Sequence, residues 1–188
     1  ADSDRMIGTF DAVILAMTPE QAAPLLPDGV ADAEAIRAVR LDPCWAVMAV
    51  FDSPPDVDLD AAFVQNSPLS WVARNASKPG RPESEAWVLH ADTDWSREHE
   101  EADRDWVVAA LISAFRKDLG RDLPSLGFTA AHRWRYAKAV SSLDRGSLWD
   151  PSLRLGFCGD WCNGSRVEGA FLSGLSIAED AAASLASG

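Results

Sequence analysis

LRLGFCGDWCNGSRVEGAFLSGLSIAEDAA, residues 153–182, decides how the rest of this chain is read. An apolar run ends in Gly159-Asp160, a short polar loop follows, and a helix of small residues opens near Val167. Glycine recurs at equal spacing, at 164, 169 and 174. Inside a helix glycine costs about 1 kcal/mol relative to alanine, so the spacing asks what comes close to that backbone. A strand ending in Gly-Asp before a helix N-terminus is a ready polar site, because free amides and the positive helix end attract an anion or an electron-rich ring edge. Asp160, at the strand's carboxyl end, is placed to accept hydrogen bonds from sugar hydroxyls, and ligands of open α/β sheets bind there. Gly164 and Gly169 leave room for a ligand against the backbone. Glu168 falls in the first turn, where an acid is favourable without any catalytic role. Close packing alone would use the same small residues, and the residues by themselves leave that alternative open.

Upstream, DAVILAM (11–17) is a continuous apolar run, which predicts a strand buried on both faces as in a parallel sheet. Thr18 is the expected cap of the next helix, with Pro19 in its first turn and Gln21 at the third position. Pro24 and Pro27 keep that helix short, and ADAEAIRAVR (31–40) predicts a second one. The texture then changes to four short Val-, Trp- and Phe-rich segments, CWAVMAVFD, AAFVQN, LSWVARNA and AWVLHAD, separated by SPPDVD, NSP and SKPGRPES. Strands joined by such turns imply an antiparallel sheet. Residues 99–119 have a helical period, with Val107, Leu111 and Phe115 at i, i+4 spacing and Gly120 at the stop. This helix is expected to cover the sheet. A further strand is expected over residues 128–136.

Composition narrows the function classes. The 188 residues carry a formal net charge of −12, a surface that repels phosphate backbones and argues against nucleic-acid binding. No apolar run is long enough to span a membrane, and the first residues, ADSDRMIGTFD, do not resemble a signal peptide. Cys44, Cys158 and Cys162 make an odd count, so a reducing cytoplasm is the expected compartment. No metal site is expected, because a structural zinc needs four ligands and His90, His99 and His132 are scattered. Buried, weakly reactive thiols are the expected state of the cysteines.

The stretch CGDWCNGSRVEGAFLSGLSIAEDAA resembles the second flavin-binding motif of FAD-dependent amine-oxidase-type flavoproteins. SWVARNASKPGRPESEAWVLHAD, AAHRWRYAKAV and DAVILAMTPEQAAPLL are similar to segments of one branch, the renalase-like oxidoreductases, so the likeness runs from about Phe10 to Leu185. It implies FAD as cofactor, contacted by Gly159, Asp160, Val167, Glu168, Gly169 and Ala170, with Trp161 as a candidate shield. The resemblance implies hydride transfer from dihydronicotinamide dinucleotide isomers, followed by reoxidation of the flavin by oxygen to hydrogen peroxide. Candidate substrate contacts are Asn75, Trp134, Tyr136 and, as the weaker choice, His132. No side chain is assigned a catalytic role, since the flavin carries the redox chemistry.

The family's G-x-G-x-x-G diphosphate turn occurs nowhere in these residues. The expected fold is therefore α+β: an antiparallel-sheet substrate domain with a covering helix, flanked by strand and helix elements of an incomplete α/β FAD-binding domain. Its parts are partial FAD-binding elements over 1–39, a substrate-binding domain over 40–150 that would roof the flavin, and a C-terminal FAD-contacting strand and helix over 151–188. The expected partners are a small-molecule substrate and the missing N-terminal dinucleotide-binding segment. Without that segment, apolar surface around 13–15 and 171–177 is expected to be exposed and covered by self-association or misfolding. Two alternatives stand beside this reading: an amine oxidase-type enzyme, and a non-catalytic interaction module whose glycines serve packing only.

Overall fold

A computed structural model describes residues 8–81 and 84–186 of the chain. Pro82 and Glu83 of the expected turn cluster, and both chain ends, lie outside them. The fold is mixed α+β and divides into two compact units: Ala1–Leu41 with Lys138–Gly188, and Asp42–Ala137. Residues 138–150, expected with the middle domain, thus cluster with the terminal segments.

The middle unit is an antiparallel sheet covered by a helix. Its strands are β2 (Leu41–Phe51), β3 (Ala61–Phe63), β4 (Leu69–Arg74), β5 (Glu85–Ala91) and β6 (Leu126–Ala139), in the order β3-β4-β5-β2-β6. Alternation sends Trp45, Val47, Ala49 and Phe51 of β2, Val72 of β4, and Trp87 and Leu89 of β5 into one core. The helix expected over 99–119 covers only 104–119, and a separate short helix precedes it. Asp92 caps α3 (Thr93–Glu98), and the Asp103 carboxylate accepts the amides of Asp105 and Trp106 at 2.9 and 3.1 Å to start α4 (Arg104–Leu119). A second capping aspartate breaks the period at 99–103, which hydropathy alone does not register. Gly120, at φ 65°, ends α4 and donates to the carbonyls of Arg116 and Lys117. α4 packs on β4 and β5 through Val107, Leu111, Ala114 and Phe115, all buried, whereas Trp106 stays half-exposed and stacks on Trp95 at 5.9 Å.

The terminal unit has a three-stranded sheet of order β1-β8-β7, from β1 (Val13–Leu15), β7 (Leu148–Asp150) and β8 (Leu155–Phe157). β1 and β8 run parallel, with Val13 opposite Leu155, and β7 and β8 antiparallel. The expectation that the first strand is buried on both faces is corrected: Val13 and Ile14 are 47% and 43% exposed. β1 is an edge strand that pairs only with β8 among the described residues, so its apolar side chains lack a second layer. Thr18 does not cap α1 (Pro19–Ala22) through a backbone amide; its hydroxyl bonds the Gln21 side chain at 3.2 Å. α2 (Ala33–Ala38) adds Ile36 to a core of Ala22, Leu148, Leu155, Phe157 and Trp161.

The last helix, α5 (Val167–Ala186), packs against β7 and β8 through one stripe: Gly169, Ser173, Ile177 and Ala181. Ile177 fills the space that a side chain at Gly156 would need, 2.7 Å from an added Cβ. Away from that stripe, Val167, Phe171, Leu172 and Leu175 are exposed. β7 ends on Asp150, a nearly buried carboxylate that accepts from the amides of Ala31, Ser152 and Leu153 and from the Ser152 hydroxyl at 2.6 Å.

Candidate functional site

β8 runs into Gly159, a 3-10 turn over Asp160–Cys162, a loop, and the start of α5. Three serines fix this route. Ser173 on α5 accepts the Gly159 amide at 3.0 Å. Ser142 accepts the Gly164 amide at 2.8 Å. The Ser165 hydroxyl donates to Asp160 Oδ2 at 3.3 Å while accepting the Ala139 amide at 2.9 Å.

The evenly spaced glycines have three separate causes. Gly164 adopts φ +83°, where a side chain is strained, with no atom near its missing Cβ. At Gly169 an added Cβ would stand 2.0 Å from the Gly164 carbonyl oxygen and 2.5 Å from that of Asn163. The room expected there for a ligand is thus occupied by the chain's own loop, which presses on the helix start. Gly174 faces open space, with nothing within 4 Å. Gly159 is also accounted for internally, since its Cβ would collide with the Trp161 indole at 2.6 Å.

The expected cofactor residues therefore separate into two kinds. Trp161 is 1% exposed and its indole N–H donates to the Met17 carbonyl at 3.0 Å, so it is a core residue and shields nothing at the surface. Gly159 has given its amide to Ser173. Asp160 keeps Oδ1 without a partner among the described residues, and its residue is half-buried. Val167, Glu168 and Ala170 are exposed, Val167 at 91%. Among the described residues no acceptor takes up the first-turn amides of α5, as is usual for a helix start that lacks a cap. A free carboxylate oxygen facing ribityl-type hydroxyls, and uncapped amides facing an anion or a pyrimidine edge, fit the polar parts of FAD. The thiols do not enter this chemistry. Cys158 and Cys162 are buried, and burial pushes the Cys162 thiol up to about 12, so it stays protonated.

The middle unit carries the other candidates. On β6, odd-numbered residues face the core side: Ala131 packs on the core, and the Arg133 guanidinium lies 5.6 Å over the Trp45 ring. His132, Trp134 and Tyr136 therefore share the opposite, uncovered face, where Trp134 is 56% and Tyr136 43% exposed. His132 and Trp134 meet edge-on at 4.4 Å. Trp71 and His90 lie on that face as well, their rings 5.2 Å apart, because they pair across β4 and β5 opposite the core positions. Burial, and then the positive charge of Lys78, lower the His90 pKa. Sequence reasoning missed this pair, although alternation from Val72 and Leu89 places both rings. Asn75 opens a 3-10 turn just after β4 and is half-buried, beside a pocket of about 360 Å³ lined by Asp60, Arg74, Ala76, Ser77 and Glu85. Arg133 and Arg135 are engaged by Glu100 and Glu101, with ion pairs of 2.7 and 2.8 Å, and are not free to bind phosphate.

The sequence over residues 1–182 matches the family model described as flavin containing amine oxidoreductase. In fold the chain is similar to a crystal structure of a "Putative protoporphyrinogen oxidase" from Exiguobacterium sp. 255-15, with a TM-score of 0.71 and 12% sequence identity. That likeness covers 91% of this chain and 41% of the other, so this chain spans less than half of that neighbour's length.

Proposed function

The chain belongs to the flavin-containing amine oxidoreductase family, a family of FAD-dependent oxidoreductases, and from that premise we propose that it is the substrate-binding and C-terminal FAD-contacting part of a longer, renalase-like oxidase. The terminal unit contacts FAD and the middle unit presents the substrate face. An N-terminal dinucleotide-binding segment completes the cofactor site and covers the exposed apolar residues of β1 and α5. The protein works in the cytoplasm, in keeping with its free thiols, of which Cys158 and Cys162 are buried. Self-association covers the same apolar surface when this chain stands alone.

The observation that carries the reading is the open start of α5. Val167 is 91% exposed at a helix start whose first-turn amides have no acceptor among the described residues, and Asp160 Oδ1 has no partner among them either. An apolar residue placed there is costly in water and favourable against a ring system. When bound, FAD supplies the hydride acceptor and passes the electron pair to oxygen, which leaves as hydrogen peroxide. Asp160 holds hydroxyls of the cofactor chain, and the amides of the exposed Val167 and Glu168 orient its polar edge, with Gly169 letting the loop close on the helix beneath them. Ala170 leaves the approach to that edge low. Trp134, with Tyr136 and His132 on the same face, offers an aromatic surface to a dihydronicotinamide ring, and Asn75, three strands away beyond the end of β4, is a separate contact. The family name keeps an amine in play as the alternative substrate.

An absorbance spectrum from about 300 to 550 nm of the protein made from the longest reading frame containing this chain tests the proposal. Two flavin bands are the expected result. Anaerobic bleaching by dihydronicotinamide isomers, and not by amines, then selects the renalase-like branch. A protein that remains colourless after incubation with FAD is a non-catalytic interaction module instead.

A further inference from the structure

Ser173 is fully buried in the interior of α5, at 0% exposure, yet it carries a hydroxyl. A serine inside a helix ordinarily returns its hydroxyl to the carbonyl four residues back. Here the oxygen accepts the Gly159 amide, at 3.0 Å, from the end of β8. Ser173 also lies four residues, about one helical turn, beyond Gly169, which is pressed against the Asn163 and Gly164 carbonyls. One hydroxyl therefore ties the strand end that places Asp160 to the helix whose first-turn amides have no acceptor among the described residues.

We propose that Ser173 is a positioning residue of the FAD site, fixing the separation of the Asp160 carboxylate from the first-turn amides of α5. It touches no cofactor atom. The inference rests on the cofactor reading above but adds to it a residue that lies beneath the site. Without the hydroxyl, the Gly159 amide would be left buried and unpaired, and the Gly159-Asp160 turn would be released from α5. The two halves of the polar cradle would then drift independently. The cofactor would lose simultaneous contact with a carboxylate and a helix start.

A second serine on the same helix gives the control. Ser176 bonds Ser147 at 2.8 Å and so ties α5 to the approach to β7, away from Gly159. The experiment compares Ser173→Ala and Ser176→Ala in the full-length flavoprotein. Apoprotein is titrated with FAD by flavin fluorescence, and the visible circular dichroism of the saturated holoprotein is recorded beside Tm. Both substitutions lower Tm. Ser173→Ala is expected to weaken FAD binding about tenfold or more, the equivalent of roughly 1.4 kcal/mol, and to alter the flavin dichroism at saturation. Ser176→Ala is expected to leave both unchanged. An FAD affinity unaffected by Ser173→Ala, or weakened equally by both changes, overturns the proposal and leaves Ser173 as packing alone. If wild-type protein takes up no FAD, the cofactor reading falls with it.

Discussion

Leu111 and Phe171 are both large apolar residues on helices, and they end in opposite places. Leu111 on α4 is fully buried among Trp87, Leu89 and Phe115, whereas Phe171 on α5 is 65% exposed. α4 has one apolar stripe and one sheet to set it on. α5 packs its Ser173 and Ile177 stripe, while among the described residues Val167, Phe171, Leu172 and Leu175 of the same helix stay exposed. The middle unit has a core of its own making on one face of its sheet. On the reading proposed above, the exposed apolar pattern of α5 is a contact surface, which burial within this chain does not identify as a core.

The largest expected effect tests the finished core. Leu111→Ala should cost about 3 kcal/mol, the transfer of the side chain plus the cavity left behind, as read by urea denaturation of the chain. A loss below about 1 kcal/mol would mean that the α4 contact is loosely packed. Phe171→Ser in the same assay should stay within about 0.5 kcal/mol, and a large loss there would erase the contrast between the two helices.

The terminal unit should also carry an acid-sensitive stability. The Ser152 hydroxyl and the Leu153 amide hold the Asp150 carboxyl below its ordinary value. A depressed folded-state pKa contributes stability that is present above the unfolded value, about pH 4, and lost as pH falls through the folded value. The Tm difference between wild type and Asp150→Asn should therefore be constant above about pH 4 and shrink below it. A difference that is flat down to pH 2 would show that the carboxylate's charge contributes nothing.

The smallest effect is the sharpest for the comparison. Gly174→Ala places a methyl in open space and should stabilise this chain by up to about 1 kcal/mol through helix propensity. If the proposed N-terminal segment covers α5, the same change in the protein made from the longest reading frame containing this chain should instead lower Tm. Stabilisation in both would leave Gly174 without a contact to explain it.

The strands were legible where Val, Trp and Phe alternate between turn clusters, and β2, β4 and β5 lie within a few residues of the runs that announce them. The flavin-type stretch was equally plain, since Gly-Asp before a small-residue helix is a local pattern. Three things were not local. Nothing in DAVILAM says whether a second layer is present, so the exposure of Val13 and Ile14 could not be read from the run itself. The break at 99–103 turns on Asp103 acting as a cap, one polar atom in a run of acids. Trp161 looks like a ligand wall because it follows Asp160, but its indole is committed to Met17 far upstream, a contact that spacing cannot announce. The even glycine spacing misled most: its three members answer to a backbone angle, a pressing loop and an open notch.

The pairing of β1 with β8 has a consequence for how the protein is made. Val13 meets Leu155, and the indole of Trp161 meets a carbonyl 144 residues away. At translation rates of about 5–20 residues per second, the first strand waits on the order of ten seconds for its partner to be synthesised. The middle unit, whose sheet and covering helix are complete by residue 137, has that interval in which to fold. The Val140 amide, bonded to the Arg40 carbonyl at 2.9 Å, then joins the two ends of the excursion. Closing the remaining loop costs far less entropy than closing an unfolded one of that length.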